Sequence, residues 1–481
     1  MVAGLTLLAL GVRLAGLNQG LFGDELYLYE IAARDDLGAM VGKVVDTEST
    51  PPFGFLLPWA AVKLGDPTVT VRLPSLLLGT AVVPLAYLLG RRTVGAPAAL
   101  LGAAFMALSP FAIWYSDESR AYATMTFLAV LSTLALVLAL QTRRRGWWVV
   151  YAVAACLVLY THYMGVFVVI VQAAWATVAH RDRWRELALA HAAVVLGYLP
   201  WLPSFVIQSD DTSAQRISTF KDFTPKGAVR ELTISVIGHP FLSLESAPGR
   251  AALALFGLGV AAAVAGALVH VRARRAVPGV RSPAVLVALV ALATPAGVAV
   301  YSVLGQNAYI PRNLSASLPA LALVLAAGLV ALRRPAAVVA GLTAVVVALG
   351  IGATRTLDPD NGRPPYRQAA ELVDERDGGG AAVVEYPLFP AFANVDIALG
   401  RHLENHFGRS HELLQVRSPD SPGWDEVPAH DQLFVVTPWD AAHRAGGPPL
   451  PPRFARRFRF VRNRVWPGLV PVAVFEYRAR G

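Results

Sequence analysis

Residues 115–145 read YSDESRAYATMTFLAVLSTLALVLALQTRRR, and the order of their chemistry decides the fold. Tyr115, Asp117, Glu118, Arg120 and Tyr122 open the stretch, an uncharged apolar run follows, and Arg143 to Arg145 close it. A helix crossing a bilayer core needs about 20 consecutive apolar residues. The stretch is therefore one span, at 120–142, with a mixed polar cluster at one end and a cationic stop at the other. Comparable runs lie near 2–22, 70–90, 96–115, 147–161, 163–179, 186–206, 250–271, 283–304, 314–332 and 335–354. The runs at 147–161 and 163–179 are short, divided only by Thr161, His162 and Tyr163, and read either as two spans or as a broken, re-entrant pair. The expected fold is an all-α polytopic membrane protein of about 11 transmembrane helices. They occupy one domain, 1–354, ahead of a small α/β domain, 355–481.

Composition agrees. The 481 residues are 55% hydrophobic and 16% charged, with a mean hydropathy of +0.49, too apolar for a soluble enzyme of this length. One cysteine, Cys156, excludes an intrachain disulfide and any multi-cysteine metal or redox site. With the N-terminus cytoplasmic, the inner loops carry fourteen arginines, at 91, 92, 143–145, 181, 183, 185, 272, 274, 275, 281, 333 and 334, against Asp182 and Glu186. That surplus exceeds the chain's net charge of +9, so the positive-inside rule accounts for the basic balance and no nucleic-acid partner is needed. The first run keeps Arg13 at its centre and lacks a small-residue cleavage site, so it reads as a retained helix, with a start that lies upstream of Met1 left open. The expected location is the plasma membrane, multi-pass, with the C-terminal domain extracytoplasmic.

From 355 onward Pro, Gly and charge replace the apolar runs. Val383 to Glu385, Leu433 to Val436 and Val472 to Tyr477 read as strands, and Arg367 to Arg376 and Phe389 to His402 as helices. Gly378 to Gly380 lacks the lysine and following helix of a phosphate loop.

Ionisable residues at the hydrocarbon edge are costly, which makes those kept there functional candidates. Asp24 and Glu25 follow the first span; Asp117 and Glu118, with Arg120, occupy the turn before span 120–142. Each acidic pair suits a helix N-cap. Two pairs on one side of the membrane would nevertheless form an acidic cluster wherever their spans are neighbours, suited to general-base work or to a hard divalent cation such as Mg or Mn, held by Asp24, Asp117 and Glu118. His162 shares that side, where its ordinary role is a hydrogen-bonded structural one. Arg312 lies in a short outer loop where arginine is uncommon, and a guanidinium there suits a lipid phosphate. Arg72 and Arg13 are weaker cases. Outer aromatics, Tyr115, Tyr122, Tyr163 and Tyr309 among them, suit sugar stacking as well as an interfacial belt.

Taken in order, Asp24-Glu25, Ser49-Thr50-Pro51-Pro52-Phe53, Arg72-Leu73-Pro74, Tyr115 to Tyr122, Leu159 to Tyr163 and Pro311-Arg312-Asn313-Leu314 with Leu318-Pro319 resemble the protein O-mannosyltransferase-like glycosyltransferases of the GT-C fold, over roughly residues 1–335. Within them the chain is most similar to the bacterial branch that glycosylates cell-surface material. The resemblance implies a membrane enzyme that takes a sugar from a polyprenyl-phosphate donor and passes it, with inversion, to an extracytoplasmic hydroxyl on a glycan, lipid or protein. It makes Asp24 the base, sets the second acidic motif beside it, and gives arginines the leaving phosphate. Many relatives carry His where Thr50 stands and Gln where Asp117 stands, which bears on donor recognition and on metal use. The rival reading is a transporter or flippase of lipid-linked sugars. Such proteins place charge at mid-membrane on interrupted helices, often in repeated halves, whereas here few residues apart from Arg13 fit that description and the sequence shows no repeat.

Overall fold

A computed structural model describes the chain except residues 143, 210–221, 275–277, 378–379, 387–401, 403–411, 416–421, 440–449 and 481. Contacts divide it into two units. One comprises Met1–Ala15, Arg34–Ala60 and Arg72–Thr356; the other comprises Gly16–Ala33, Ala61–Val71 and Leu357–Gly481.

The first unit is helical, and each of the eleven apolar runs contains a helix. Among the described residues seven are long and apolar enough to cross a membrane: Pro67–Thr93, Ala121–Thr142, Arg181–Ser209, Glu245–Arg272, Pro283–Leu304, Pro311–Val330 and Pro335–Thr356. A bent pair, Ala96–Leu108 and Pro110–Ser116, makes an eighth, while Val2–Leu14, Arg145–Thr161 and Tyr163–Ala179 are shorter apolar helices. This is a multi-pass membrane protein. Ala121–Thr142 is buried over 83% of its most apolar stretch and packs against Leu73–Thr93 and Arg145–Thr161, so it is a central helix of the bundle. Arg181–Ser209, only 17% buried, turns leucines such as Leu189 outward, as a lipid-facing helix does.

Two sequence expectations need correction. The first run is helical only over Val2–Leu14, not to residue 22, because Gly16, Asn18 and Gly20 interrupt it. Gly20 is a position of close approach, where a Cβ would stand 2.8 Å from the Pro364 carbonyl oxygen. The run 96–115 is bent by 59° between Leu108 and Pro110. Pro110 has no N–H for the Met106 carbonyl four residues back. Arg13, fully buried, uses the groups exposed there. Its Nη2 donates to Met106 O at 3.2 Å, its Nη1 to Ala107 O at 3.4 Å and to Ala9 O at 3.1 Å, and its Nε to Ser116 Oγ at 2.9 Å.

The second unit is a five-stranded sheet in the order β2-β1-β3-β5-β4, with β1 Ala382–Glu385, β2 Glu412–Gln415, β3 Gln432–Pro438, β4 Phe458–Trp466 and β5 Val472–Ala479. β1 runs parallel to β2 and β3, and β5 runs antiparallel to β3 and β4. Helix Tyr366–Arg376 packs its apolar side (Ala369, Ala370, Val373) on Val383, Phe434 and Val474, with Leu26 against the same core. Trp424, Phe454 and Phe458 cover the other face. The three strands and the 367–376 helix read from the sequence are present; β2 and β4 were not anticipated. The expected helix from Phe389 to His402 lies, apart from His402, outside the described residues. Segments 16–33 and 61–71 are held to this unit by Glu25–Arg363 at 3.1 Å, by Asp66–Arg367 at 3.4 Å, and by the Leu21 amide donating to His402 Nε2 at 3.2 Å.

Candidate functional site

In the membrane unit the sequence-selected residues gather around Tyr122, the second residue of helix Ala121–Thr142. Its buried ring stands 4.9 Å from that of Tyr115 and 5.5 Å from that of His162, and the Arg312 guanidinium lies 5.8 Å over it. Arg120 pairs with Glu48 at 3.6 Å and lies 5.8 Å over the Phe55 ring. Arg120 and Arg312, 192 residues apart in sequence, converge on His162 closely enough for both charges to act on its imidazole.

His162 sits between helices Arg145–Thr161 and Tyr163–Ala179, where its Nδ1 accepts from the Met164 amide at 3.2 Å. Burial first, then Arg120 and Arg312, push its pKa down to about 3. It is a neutral imidazole at physiological pH, and with Nδ1 accepting, Nε2 carries the proton as a donor. Tyr163 has a different surrounding: its hydroxyl donates to Gln208 Oε1 and accepts from Trp201 Nε1 at 3.2 Å, while Gln208 Nε2 donates to Val44 O at 3.0 Å and Thr50 O at 3.3 Å. It ties helix Leu37–Thr47 to the bundle.

Neither acidic pair is an N-cap. Asp117 is the residue after helix Pro110–Ser116, at the negative end of its dipole, a placement that disfavours a carboxylate. Arg13, on which its charge acts, offsets that cost. Glu118, buried, accepts from Trp114 Nε1 at 2.7 Å. Arg72 is fully buried ahead of helix Leu73–Thr93. In the second unit Gly23, with φ of +56°, turns the chain into helix Asp24–Ala32; Asp24 is half-buried, whereas Glu25 is fully buried in its ion pair with Arg363. Breaking such a buried pair costs about 3–5 kcal/mol, so Glu25 serves to fix the helix that presents Asp24. Among the described residues no three His, Cys, Asp or Glu side chains are grouped to hold a metal ion.

Beside Tyr115 and Arg312 a cavity of about 290 Å³ opens, lined also by Asp222, Glu231, Asn307 and Tyr309. Its volume is near the lower end of the roughly 300–1,000 Å³ typical of small-molecule sites. A second cavity, about 580 Å³ and almost wholly apolar, runs between helices Pro225–Ile237, Arg250–Arg274 and Leu318–Val330. Helix Pro225–Ile237 lines both, with Glu231 on the polar one and Leu232 and Val236 on the apolar one. Glu48, Glu231 and Asn307 were not selected from the sequence. Only Glu48 had a signal, its place directly before Ser49 to Phe53.

Residues 49–207 match the family described as dolichyl-phosphate-mannose-protein mannosyltransferase. Among curated proteins a sequence search finds no match. In fold the chain is similar to ArnT from Cupriavidus metallidurans bound to undecaprenyl phosphate, with a TM-score of 0.54 and 13% identity over 98% of this chain and 97% of that one. It is also similar to the oligosaccharyltransferase AglB from Archaeoglobus fulgidus in complex with an inhibitory peptide and a dolichol-phosphate, with a TM-score of 0.51 and 13% identity over 91% and 69% of the two chains. The chain thus has the fold of the GT-C glycosyltransferases, and its segment 49–207 resembles their protein O-mannosyltransferase-like members.

Proposed function

We propose that the protein is a membrane glycosyltransferase that moves a sugar from a polyprenyl-phosphate donor to a hydroxyl of an extracytoplasmic glycan, lipid or protein acceptor, with inversion. The convergence of Arg120 and Arg312 around Tyr122 and the neutral His162, next to a polar cavity, carries this reading. In the reaction the acceptor oxygen bonds to the anomeric carbon while the bond from that carbon to the phosphate oxygen breaks. The electron pair, and a growing negative charge, go to the phosphate. Two fixed guanidiniums and the His162 Nε2 proton are suited to that charge, and in a dry site such groups lower the barrier substantially. Tyr115 and Tyr309 offer ring faces to the sugar, and the apolar cavity suits an isoprenoid chain. The fold neighbours bound to undecaprenyl phosphate and dolichol-phosphate support a lipid-phosphate donor. Asp24 is the proposed base, half-buried on a helix start that Glu25 and Arg363 fix. The arginine-rich loops face the cytoplasm and the 355–481 region the exterior in this reading.

The test uses the full chain reconstituted in liposomes with a polyprenyl-phosphate sugar. Asp24→Asn keeps polyprenyl-phosphate binding and loses transfer. Arg312→Gln lowers kcat by about 10²–10³-fold, the loss typical of removing one charge-stabilising donor. Transfer at wild-type rate in both variants contradicts the assignment.

A further inference from the structure

Residues 453–464, RFARRFRFVRNR, hold six arginines and no acid, and all six are exposed. They lead into and along β4, the edge strand of the sheet among the described residues. Pairing with β5 sets Arg459 opposite Arg478, Arg462 opposite Glu476 and Arg464 opposite Val474, which places all three β4 arginines on one face. The spacing alone forbids this, because residues three apart in a regular strand point to opposite faces. A bulge between Phe460 and Arg462 supplies the missing residue and restores the phase. The result is a row of three arginines along one face of β4, where the same-face repeat of a regular strand is about 6.5–7 Å.

The row is undersupplied with acid. Buried Glu476 serves Arg462 at 3.3 Å, Arg376 at 3.6 Å and Arg478 at 3.6 Å. Arg459 and Arg464 make no ion pair among the described residues, and Arg464 lies 5.0 Å over the Trp466 ring. Charge on an edge strand also deters pairing with another chain, but that role is indifferent to which face the charges occupy. Here a bulge aligns them.

We propose that this row binds an extended polyanionic glycan bearing a carboxylate or phosphate on each repeat. Guanidiniums take both groups bidentately, and a row of arginines on one face of an extended strand suits an extended polymer. A bilayer surface fits less well, since peripheral attachment joins cations and apolar side chains on one face, and the exposed Phe460 and Val465 stand on the opposite one. Single-stranded nucleic acid uses a series of free aromatic faces, and this face has Trp466 alone, already covered by Arg464. The surface lies wholly in the second unit and does not depend on the transfer reading.

Full-length protein in detergent is titrated with fluorescent polygalacturonate oligomers, with inorganic polyphosphate, and with neutral dextran, single-stranded DNA and phosphatidylglycerol nanodiscs as comparators. Binding of polygalacturonate or polyphosphate, weakening as salt rises, is expected; which of the two binds tighter identifies the anionic group. The double variant Arg459→Gln/Arg464→Gln leaves the Glu476 ion pairs intact and is expected to lose at least tenfold in affinity. Phe460→Ser, on the other face, is expected to bind as wild type. Equal binding of dextran, no loss in the double variant at unchanged melting temperature, or tighter binding of DNA or nanodiscs through the same arginines overturns the proposal.

Discussion

A histidine that stays neutral beside two arginines leaves a thermodynamic signature. His162 has an ordinary pKa near 6.5 when unfolded and about 3 in the folded protein. Between those values the unfolded chain binds the additional proton, so this contribution to stability is complete above about pH 6.5 and is lost as pH falls toward 3. Thermal unfolding in detergent is therefore expected to show a drop in Tm from pH 7.5 to pH 5 that His162→Gln reduces, its amide oxygen replacing Nδ1 as acceptor for the Met164 amide. An identical drop in both proteins contradicts the buried, neutral state. The sequence marked His162, Arg120 and Arg312 by their position at an apolar boundary. It was silent on Arg363 and marked Glu48 only by its place before Ser49 to Phe53, because the ion pairs that define them join segments far apart in the chain.

At the scale of elements, apolar runs reveal that helices exist and say little about how they bend or cross. Ser109 and Pro110 were the visible mark of the bend in 96–115: the Ser109 hydroxyl caps the Ala112 amide at 3.2 Å and Pro110 begins the new helix. β4 was hidden because arginines fill the positions where a two-sided strand shows apolar residues. Helix crossings depend on glycines whose role only coordinates disclose. A Cβ on Gly266 would stand 2.0 Å from the Gly328 carbonyl oxygen, so helices Arg250–Arg274 and Leu318–Val330 meet backbone to backbone beside the apolar cavity. Gly266→Ala is expected to destabilise by about 1–3 kcal/mol through overpacking. Gly350→Ala, with nothing within 4 Å of its Cβ, is expected to be neutral or stabilising by up to about 1 kcal/mol. Melting curves of the two variants check this, and equal shifts would refute the close crossing.

For the whole molecule, the membrane bundle and the α/β character of the tail were legible because burial in lipid and burial in a sheet leave different periods in the sequence. Less legible was the grouping of residues 16–33 and 61–71 with the tail, which rests on single hydrogen bonds and ion pairs rather than on any pattern. A polar cavity and an apolar one served by the same helix suit a ligand with a charged head and a hydrocarbon chain, and such a ligand is either consumed or moved. The deciding measurement reconstitutes the protein in sealed liposomes with a polyprenyl-phosphate sugar labelled in the sugar, adds acceptor, and follows both the label and the free polyprenyl phosphate. Transfer produces labelled acceptor and an equal amount of polyprenyl phosphate, abolished by Asp24→Asn. Movement of intact labelled donor from one leaflet to the other, with no polyprenyl phosphate released, would contradict the enzyme reading and establish the transporter in its place.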